Sequence, residues 1–472
     1  MFGNQRARHP LLFMFLLVTF LVGFQRLGVG QTRNPFLGSV PTGQATGTTL
    51  DLSLQEAFER ALKYNLGGIE SSENTRAAHA MRLRGLNALL PNLSARLSGT
   101  VQQLDLAAEG LGGLKIPGVH LPQVVGPFGV EDARAYLSQE IFSWSDIKNW
   151  KSASEAETAS QYTYKSDRNL VVYTTGNAYL LVISDIATVE SVRAQVKTAQ
   201  TLVENDVDLN KHGLIASIDL LRARVEFQTQ QQRQIAAENQ VAIDKLTLAR
   251  VIGLPSGQEF HLSDSVPYAA LDGMTQEQAL QQAMSTRPDY LSAKVQVHAA
   301  ELARQAAAAE NYPSLSTDTN YGDIGSPNFG TSHGTLGFAV TLNVPIFQGS
   351  RVRADRLQSD SALQQRKAEL ADLEGQIDDQ VRTAFLNLRS SSDLVRVAES
   401  NIDLANQTLA QARDRFRAGV ADNLEVIQAQ ESVASANQSY ISSLFAFNLA
   451  KISLAQAIGI AEQSALHFLG AK

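Results

Sequence analysis

The sequence predicts a mainly α-helical protein with a small β part, built from a unit of helix, β-hairpin, long helix and return helix that occurs twice. Three observations carry this prediction: two long stretches without proline, four short segments in which apolar and polar residues alternate, and matching motifs in the two halves. Of the 472 residues, 44% are apolar and 18% are charged, which is ample for a folded core.

Charge and composition exclude several classes of protein. The formal net charge is −7, so the chain is poorly suited to binding the phosphate backbone of nucleic acids, and we expect no nucleic-acid partner. The sequence contains no cysteine, which excludes a disulfide scaffold, thiol catalysis and Cys-ligated zinc. Its histidines are scattered, and no HExxH, GxSxG, Walker or kinase pattern occurs. We therefore predict a protein that is not an enzyme and that needs no metal or other cofactor.

The N-terminus has the features of an export signal. Arg6 and Arg8 lie in a segment without acidic residues, and the uncharged apolar run Leu11–Gly23 follows. At about 1.5 Å per residue this run spans roughly 20 Å, less than the ~30 Å hydrocarbon core of a bilayer. The pattern favours a signal peptide over residues 1–30, with an uncleaved anchor as the alternative. No other uninterrupted apolar run approaches the length of a spanning helix, so we expect none in the mature chain.

The two halves of the chain carry the same motifs in the same order. Ser53–Leu62 lies over Thr275–Met284, and in a shifted register Leu248–Leu254 lies over Leu454–Ile460. The shift means that the second half is shorter, and we place the difference in a loop near residues 100–130. The repeat divides the chain after the signal peptide into a linker (31–50), a first repeat (51–254), an inter-repeat linker (255–273), a second repeat (274–460) and a C-terminal tail (461–472).

Each repeat begins with a helical stretch that ends at a proline, Leu52–Leu90 in the first and Gln276–Glu310 in the second. Two strands follow in each repeat, because apolar residues occupy every second position there. These strands are predicted at Asn92–Gln102, near Asp132–Phe142, at Ser314–Tyr321 and at Thr335–Ile346. Loops rich in glycine and proline join them, at residues 106–130 and 322–334.

A very long helix follows the strands of each half, Asp146–Lys211 in the first and Ser350–Ala418 in the second. Neither stretch contains proline, and at about 1.5 Å per residue each is roughly 100 Å long. Steps of four and three residues in the second favour coiled-coil packing over a plain amphipathic surface helix. The heptad seam consists of Ile377, Val381, Ala384, Leu388, Ser391, Val395, Ala398, Ile402, Ala405, Leu409, Ala412 and Phe416.

The long helices turn back at Gly213 and Gly419, and return helices of roughly 60 Å run to Gly253 and Gly459. Two helices of that length stacked end to end can flank one long helix, an arrangement suited to a tall helical barrel. Four strands cannot close a membrane barrel alone, since small closed barrels need about eight. If the strands enter a membrane, several subunits must therefore share them, with the apolar faces toward lipid and the polar faces toward a watery lumen.

This order of elements resembles the TolC-type outer-membrane efflux protein family, the outer membrane factors. The resemblance covers nearly all of residues 51–460 and depends on the order of its motifs. Those motifs are LxxAxxxAxxxN (Leu54, Ala57, Ala61, Asn65), the proline after each lead-in helix, Ile141-Phe142 and Ile346-Phe347 after the strands, and the turns His212–Ala223 and Ala418–Ala429.

The resemblance implies a homotrimer in the outer membrane whose twelve-stranded β-barrel, four strands from each copy, continues as an α-helical barrel across the periplasm. It implies a passive duct of a tripartite efflux or type I secretion system. The partners would be a periplasmic adaptor (membrane fusion) protein and an inner-membrane pump of the RND, ABC or MFS type. The pump chooses the cargo, so the sequence names no substrate. The alternative, from another class, is an exported periplasmic coiled-coil scaffold or adaptor without a pore.

Relatives narrow their periplasmic aperture at the second-half turn, where acidic residues form a ring. On this chain the corresponding motif is Leu424–Ala429, in which Glu425 keeps the first acid and Gln428 replaces the second by an amide. A trimer would therefore carry three charges there instead of six. Some relatives latch the aperture through a basic residue two positions after the turn glycine, where this chain has Ala421.

Two further sets of residues are candidates at the helix turns. Asp219 and Arg222 are spaced as a surface i,i+3 pair, with a minor role in gating as the alternative. The resemblance also implies that the adaptor docks on the turns, at Gly213, Leu214, Gly419 and Val420.

Overall fold

The structure, a computed structural model, describes residues 34–110, 118, 122–264, 268–269, 273–326 and 331–470. The predicted signal peptide lies outside the described residues. Within them the chain is mainly helical with a small β part, which confirms the predicted fold class at this level. The first half contains β1 (Leu50–Leu52), α1 (Leu54–Tyr64), α2 (Leu66–Asn87), β2 (Asn92–Asp105), β3 (Val124–Phe142), α3 (Trp144–Lys211) and α4 (Ser217–Ile252).

The second half repeats this order, from a short strand through paired lead-in helices, two strands, a long helix and a return helix. It contains β4 (Phe260–Leu262), α5 (Gln276–Thr286), α6 (Pro288–Ala309), β5 (Ser314–Ser326), β6 (Thr331–Asn343), α7 (Arg351–Arg417), α8 (Asn423–Ile458) and a final helix α9 (Ala461–Leu469).

The prediction of one continuous lead-in helix in each half is wrong, because each stretch consists of two helices. Asn65 leaves the helical conformation (ψ 134°), and its side-chain oxygen accepts a hydrogen bond from the Gly67 N–H at 3.0 Å. Its amide nitrogen donates to the Phe36 carbonyl at 2.8 Å. In the second half Arg287 takes a similar conformation because Pro288 follows, and proline disfavours the α region for the residue before it.

The four long strands form one antiparallel sheet in the order β2-β3-β5-β6. All four predicted strands are present, but β3 begins earlier, at Val124, and β5 extends to Ser326. The last strand runs over Thr331–Asn343 and so ends before Ile346. The two predicted loops are therefore too long, since ladder hydrogen bonds continue past positions where the apolar alternation weakens. Residues 111–117, 119–121 and 327–330 of those loops lie outside the described residues.

The alternation of apolar and polar residues separates the two faces of the sheet. Leu97 opposes Ala133 in the register of β2 and β3, whereas the neighbouring Arg96 opposes Arg134 on the other face. On the apolar face the large side chains are exposed in the single chain, with Leu97 82% exposed. The other members of this exposed set are Leu93, Val101, Leu336, Phe338, Val340 and Leu342. The apolar face thus has no partner within the subunit among the residues described.

The long helices and return helices occur where the glycine and proline pattern predicts them. α7 packs along α8, and α3 packs along α4 and α6. Every position of the predicted heptad seam in α7 is buried or half-buried, whereas Leu386 and Leu394 beside it are exposed. The 3.5-residue period therefore identifies the buried stripe of α7.

The main core lies where the two halves meet, at the level of α1 and α5. It contains Leu54, Phe58, Tyr179 and Ile452. Two short strands also contribute to it, β1 through Leu52 and β4, which lies in the predicted inter-repeat linker, through Phe260 and Leu262. These short strands pair in parallel, with Leu50 opposite Phe260. The predicted C-terminal tail is also part of this core, because Ala461, Ala465, Phe468 and Leu469 on one side of α9 are buried.

Two helices, α3 and α8, are long and apolar enough by length and composition to cross a membrane. Neither contains an uninterrupted apolar run of spanning length, and the expectation that the mature chain has no spanning helix stays a prediction. About half of each apolar window is buried inside the subunit. The buried apolar side chains of both helices belong to the main core, among them Val171 and Tyr179 of α3 and Ile452 of α8. Packing within the protein therefore accounts for these windows.

Replacing a seam residue should destabilise the protein far more than replacing its exposed neighbour. Ile377 is fully buried, so Ile377→Ala removes packed methyl groups and should cost about 2–5 kcal/mol. Leu386 on the same helix is 67% exposed, so Leu386→Ala should change the free energy of unfolding by less than about 0.5 kcal/mol. Thermal unfolding in detergent, followed by circular dichroism, measures both. Equal midpoints for the two variants would show that the seam is not a packed interface.

Candidate functional site

The predicted site residues lie at the end of the molecule where both long helices turn back. Gly213 and Gly419 have φ values of +70° and +72°, in the left-handed region that favours glycine. In the first turn the Leu214 N–H donates to the Leu209 carbonyl at 2.9 Å, and in the second the Val420 N–H donates to the Arg415 carbonyl at 3.1 Å. These bonds satisfy carbonyls at the helix ends, as in a Schellman motif.

The two turns are neighbours that share a small apolar cluster. It contains Leu202 of α3, Ala223 of α4, Leu409 of α7 and Val426 of α8. Between the turns lies a cavity of about 1200 Å³, whose lining includes the charged side chains of Lys197, Asp208, Arg413 and Arg417 and the imidazole of His212. The exposed side chains at the tips are Leu214 (70% exposed) and Val420 (64% exposed). The turn regions thus expose an apolar tip beside a charged cavity.

Glu425 lies in the first turn of α8 and forms an ion pair across the helix turn. The Asp422 carboxylate caps the helix by accepting a hydrogen bond from the Glu425 N–H at 3.3 Å. The Arg415 guanidinium donates twice to the Glu425 carboxylate, at 3.0 and 3.2 Å. Both side chains are exposed to solvent, so this pair adds little to stability. Sequence reasoning missed Arg415, because nothing in the motif marks a partner on the other side of the turn.

Gln428 lies one turn further along α8 than Glu425, so both belong to one face of the helix. Its side chain is exposed, and its backbone carbonyl accepts a hydrogen bond from the Ser432 hydroxyl at 2.9 Å. Ala421, where some relatives carry a basic residue, is half-buried and without charge. The cationic group that meets Glu425 in this subunit is therefore the Arg415 guanidinium.

Asp219 and Arg222 form the predicted i,i+3 pair, with the guanidinium 3.0 Å from the carboxylate. Asp219 also lies close to two residues that sequence reasoning missed, Asp206 of α3 and Asn423 of α8. The Asn423 amide donates to the Asp206 carboxylate and, at 3.3 Å, to the Asp219 carbonyl. Burial raises the pKa of Asp206 to about 6, and the negative charge of Asp219 adds to this effect.

The polar face of the sheet is the second region that a duct would use. Arg134 forms an ion pair with Asp132, and the Arg96 and Arg134 guanidinium groups lie 5.5 and 5.6 Å from the centroid of the Tyr136 ring. Asn320 of β5 faces Tyr136 across the ladder. This face is therefore charged and hydrogen-bonding, as a water-filled lumen requires. Among the residues that the structure describes, no group of three or more histidine and acidic side chains could hold a metal ion.

Comparison with known proteins identifies the family. A family model described as outer membrane efflux protein matches residues 84–254 and 279–460. The probable efflux pump outer membrane protein SepC of Pseudomonas putida is 24% identical over 425 residues, which cover 87% of this chain and 83% of that protein.

Two solved structures share the fold. A membrane protein from Pseudomonas aeruginosa has a TM-score of 0.76 at 17% identity, with 89% of this chain and 95% of that chain covered. The outer membrane protein VceC from Vibrio cholerae has a TM-score of 0.72 at 18% identity, with 86% and 96% covered. The match to the family model spans most of both halves, and the chain belongs to the outer membrane efflux protein family.

Proposed function

We propose that the chain is the subunit of a trimeric outer-membrane channel that continues as a helical duct across the periplasm. The observation that carries this proposal is the four-stranded sheet, which in the described part of the chain has an exposed apolar face and two unpaired edges. In lipid, unpaired backbone groups at β2 and β6 would be costly, and pairing them between copies removes that cost. Three copies supply twelve strands, enough to close a barrel around a lumen.

The polar face of the sheet then faces water and the apolar face meets lipid. The alternative of a periplasmic scaffold without a pore leaves Leu93, Leu97, Leu336 and Phe338 in water on one continuous surface. Exposed apolar patches of this kind mark an interaction site. Residues 1–30 would direct the export that both alternatives require.

The duct belongs, on this proposal, to a tripartite efflux or type I secretion system. SepC is described as part of an efflux pump, and the same kind of assembly is proposed here. A periplasmic adaptor would dock on the exposed tips at Leu214 and Val420, and an inner-membrane pump of the RND, ABC or MFS type would supply the energy. The chain itself would act as a passive conduit and not as an enzyme.

Glu425 and Gln428 would face the aperture of the assembled duct. Each subunit then contributes one carboxylate, at Glu425, and one neutral amide, at Gln428. The Arg415 guanidinium already pairs with that carboxylate, which lowers the net charge at this level. Asp219 and Arg222 would remain a surface pair beside the docking turns.

A β-branched residue at a turn glycine should weaken docking. Gly213→Val or Gly419→Val places a β-branched side chain at a φ near +70°, which strains the turn although the space around it is open. We expect normal amounts of protein in the outer membrane and at least tenfold lower export of a dye substrate, because the adaptor meets a distorted tip. Leu246→Val, at an exposed position inside α4, is the control. Wild-type export in both glycine variants would remove the turns from the docking surface.

Reconstitution into a planar lipid bilayer tests the proposed function directly. Protein extracted from outer membranes with mild detergent should add conductance in discrete steps of uniform size. A preparation that is recovered from the periplasm without detergent and adds no conductance would support the scaffold alternative instead.

A further inference from the structure

A buried acid–amide pair joins the two helical hairpins beneath the turns. Asp206 of α3 has no exposed surface, and Asn423 in the first turn of α8 is 1% exposed. The Asn423 amide nitrogen donates to one carboxylate oxygen of Asp206 and to the backbone carbonyl of Asp219. The Asn423 side chain thereby ties the first hairpin, α3 and α4, to the second, in addition to the apolar cluster that the two hairpins share.

The other oxygen of each partner is an acceptor without a protein donor. Oδ1 of Asp206 and Oδ1 of Asn423 are both inaccessible to solvent, and no hydrogen-bond donor of the described residues reaches either. An ionised carboxylate and a side-chain amide can form only one hydrogen bond with each other. A protonated carboxyl and an amide can form two side by side, because the acid O–H then donates to the amide oxygen. In that arrangement a proton on Asp206 would satisfy both buried oxygens.

The charges around this pair favour the protonated acid. From α4, Asp219 faces Asp206 with a negative charge, which Arg222 balances in part at 3.0 Å. From α8 the neutral Asn423 meets it, and Glu425 is engaged by Arg415 of α7.

Two further charged groups lie near the turns. Arg413 of α7 lines the neighbouring cavity, and Asp208 of α3 pairs with Lys211 at the surface. Burial, and next the charge of Asp219, raise the pKa of Asp206 to about 6, whereas the hydrogen bond from Asn423 acts in the opposite direction.

We propose that a proton on Asp206 controls the link between the two hairpins at the periplasmic end, closing the link in acid and loosening it at neutral pH. While the link is closed, Asp206 stays protonated up to a higher pH than an aspartate in water does. The link is therefore strongest below about pH 4 and weakens as the pH rises through 6. The ratio of closed to open links should change by at most about 100-fold over this range, because Asp219 of the same hairpin contributes part of the shift whether the link is closed or open.

The chain has no cysteine, so spin labels attach only to introduced cysteines, and the distance between two labels measures this link. Labels on Leu214→Cys and Val420→Cys, both exposed, measure the distance between the two turns. The double-cysteine variant is co-expressed with an excess of the wild-type chain and labelled after purification, so that distances between subunits do not contribute. We expect a narrow distance distribution at pH 5 and a broader one at pH 8.

Three substitutions decide the cause of that change. Asp206→Asn creates an amide pair that forms two hydrogen bonds without a proton, so its distribution should be narrow at both pH values. Asn423→Leu removes the donor, so its distribution should be broad at both. Asp208→Asn, an exposed acid two positions from Asp206, should behave as wild type. A wild-type distribution that does not depend on pH, or an Asp206→Asn variant that keeps the pH dependence, would overturn the proposal.

The distance measurement does not depend on the proposed channel, whereas a conductance measurement does. If the chain forms channels, wild-type conductance should fall on acidification from pH 8 to 5 by more than that of Asp206→Asn. Absence of conductance in every variant would refute the channel function and leave the distance result to decide the link. If the wild type and Asp206→Asn show the same pH dependence of conductance, the link does not control the duct.

Discussion

Leu97→Lys should abolish assembly in the outer membrane, whereas Ser98→Lys on the same strand should be tolerated. Leu97 lies near the middle of β2 on the exposed apolar face, so a lysine there would meet lipid. A lysine at the bilayer midplane costs about 2–4 kcal/mol, and three copies in one barrel would make this about 6–12 kcal/mol. Ser98 lies on the opposite face, opposite Asp132, where a lysine would meet water and a negative charge.

The amount of heat-dissociable trimer in outer-membrane fractions measures this contrast. We expect loss of the trimer band for Leu97→Lys and near-normal amounts for Ser98→Lys. The reverse order would mean that the faces of the sheet are assigned the wrong way round. Loss in both variants would mean that the polar face is also packed and does not line an open lumen.

Gly459→Ala should be among the most destabilising single substitutions in the helical part. Gly459 has a φ of +86°, which costs an alanine about 1–2 kcal/mol. A β-carbon at this position would lie 2.7 Å from Cγ and 2.9 Å from Cα of Arg287, so buried atoms must move. Such overpacking adds about 1–3 kcal/mol, for a total of about 2–5 kcal/mol per subunit.

The clash is costly because hydrogen bonds hold the Arg287 side chain in place. Its guanidinium donates to Asp289 at 2.7 and 2.9 Å, to Gln380 at 2.8 Å and to the Ala457 carbonyl at 3.0 Å. Gly419→Ala is the matched control, since its φ is +72° and no atom lies within 4 Å of the added carbon. Thermal unfolding should therefore show a much larger loss for Gly459→Ala. Equal losses would mean that the backbone conformation alone determines the cost and that the contact with Arg287 relaxes.

The regular parts of this fold could be predicted because they depend on local pattern. The proline-free stretches and the glycines that end them locate α3 and α7, and the heptad period locates the stripe of α7 that is buried. The break at Asn65 could not be predicted in this way. Gly67 and Gly68 after it are weak helix formers, but whether the helix breaks at Asn65 depends on hydrogen bonds to the distant Phe36 and Val251 carbonyls.

The candidate site shows the same division between local and distant determinants. The turn glycines and Glu425 belong to short motifs, so the sequence locates them. Arg415 meets Glu425 across the turn, and Asp206 meets Asn423 from the other half of the chain. Contacts of this kind follow from how the hairpins pack, which single-sequence patterns do not encode. The available signal was that Asp206 corresponds to the seam position Ala412 in the register that matches Leu248 with Leu454, whereas its partner Asn423 is known only from the structure.

Native mass spectrometry of the protein released from mild detergent shows directly whether several copies share one barrel. We expect a single dominant species with the mass of three processed chains, which dissociates to monomers only when the sheet is denatured. A dominant species with the mass of one chain, under conditions in which the sheet remains folded, would contradict a shared barrel.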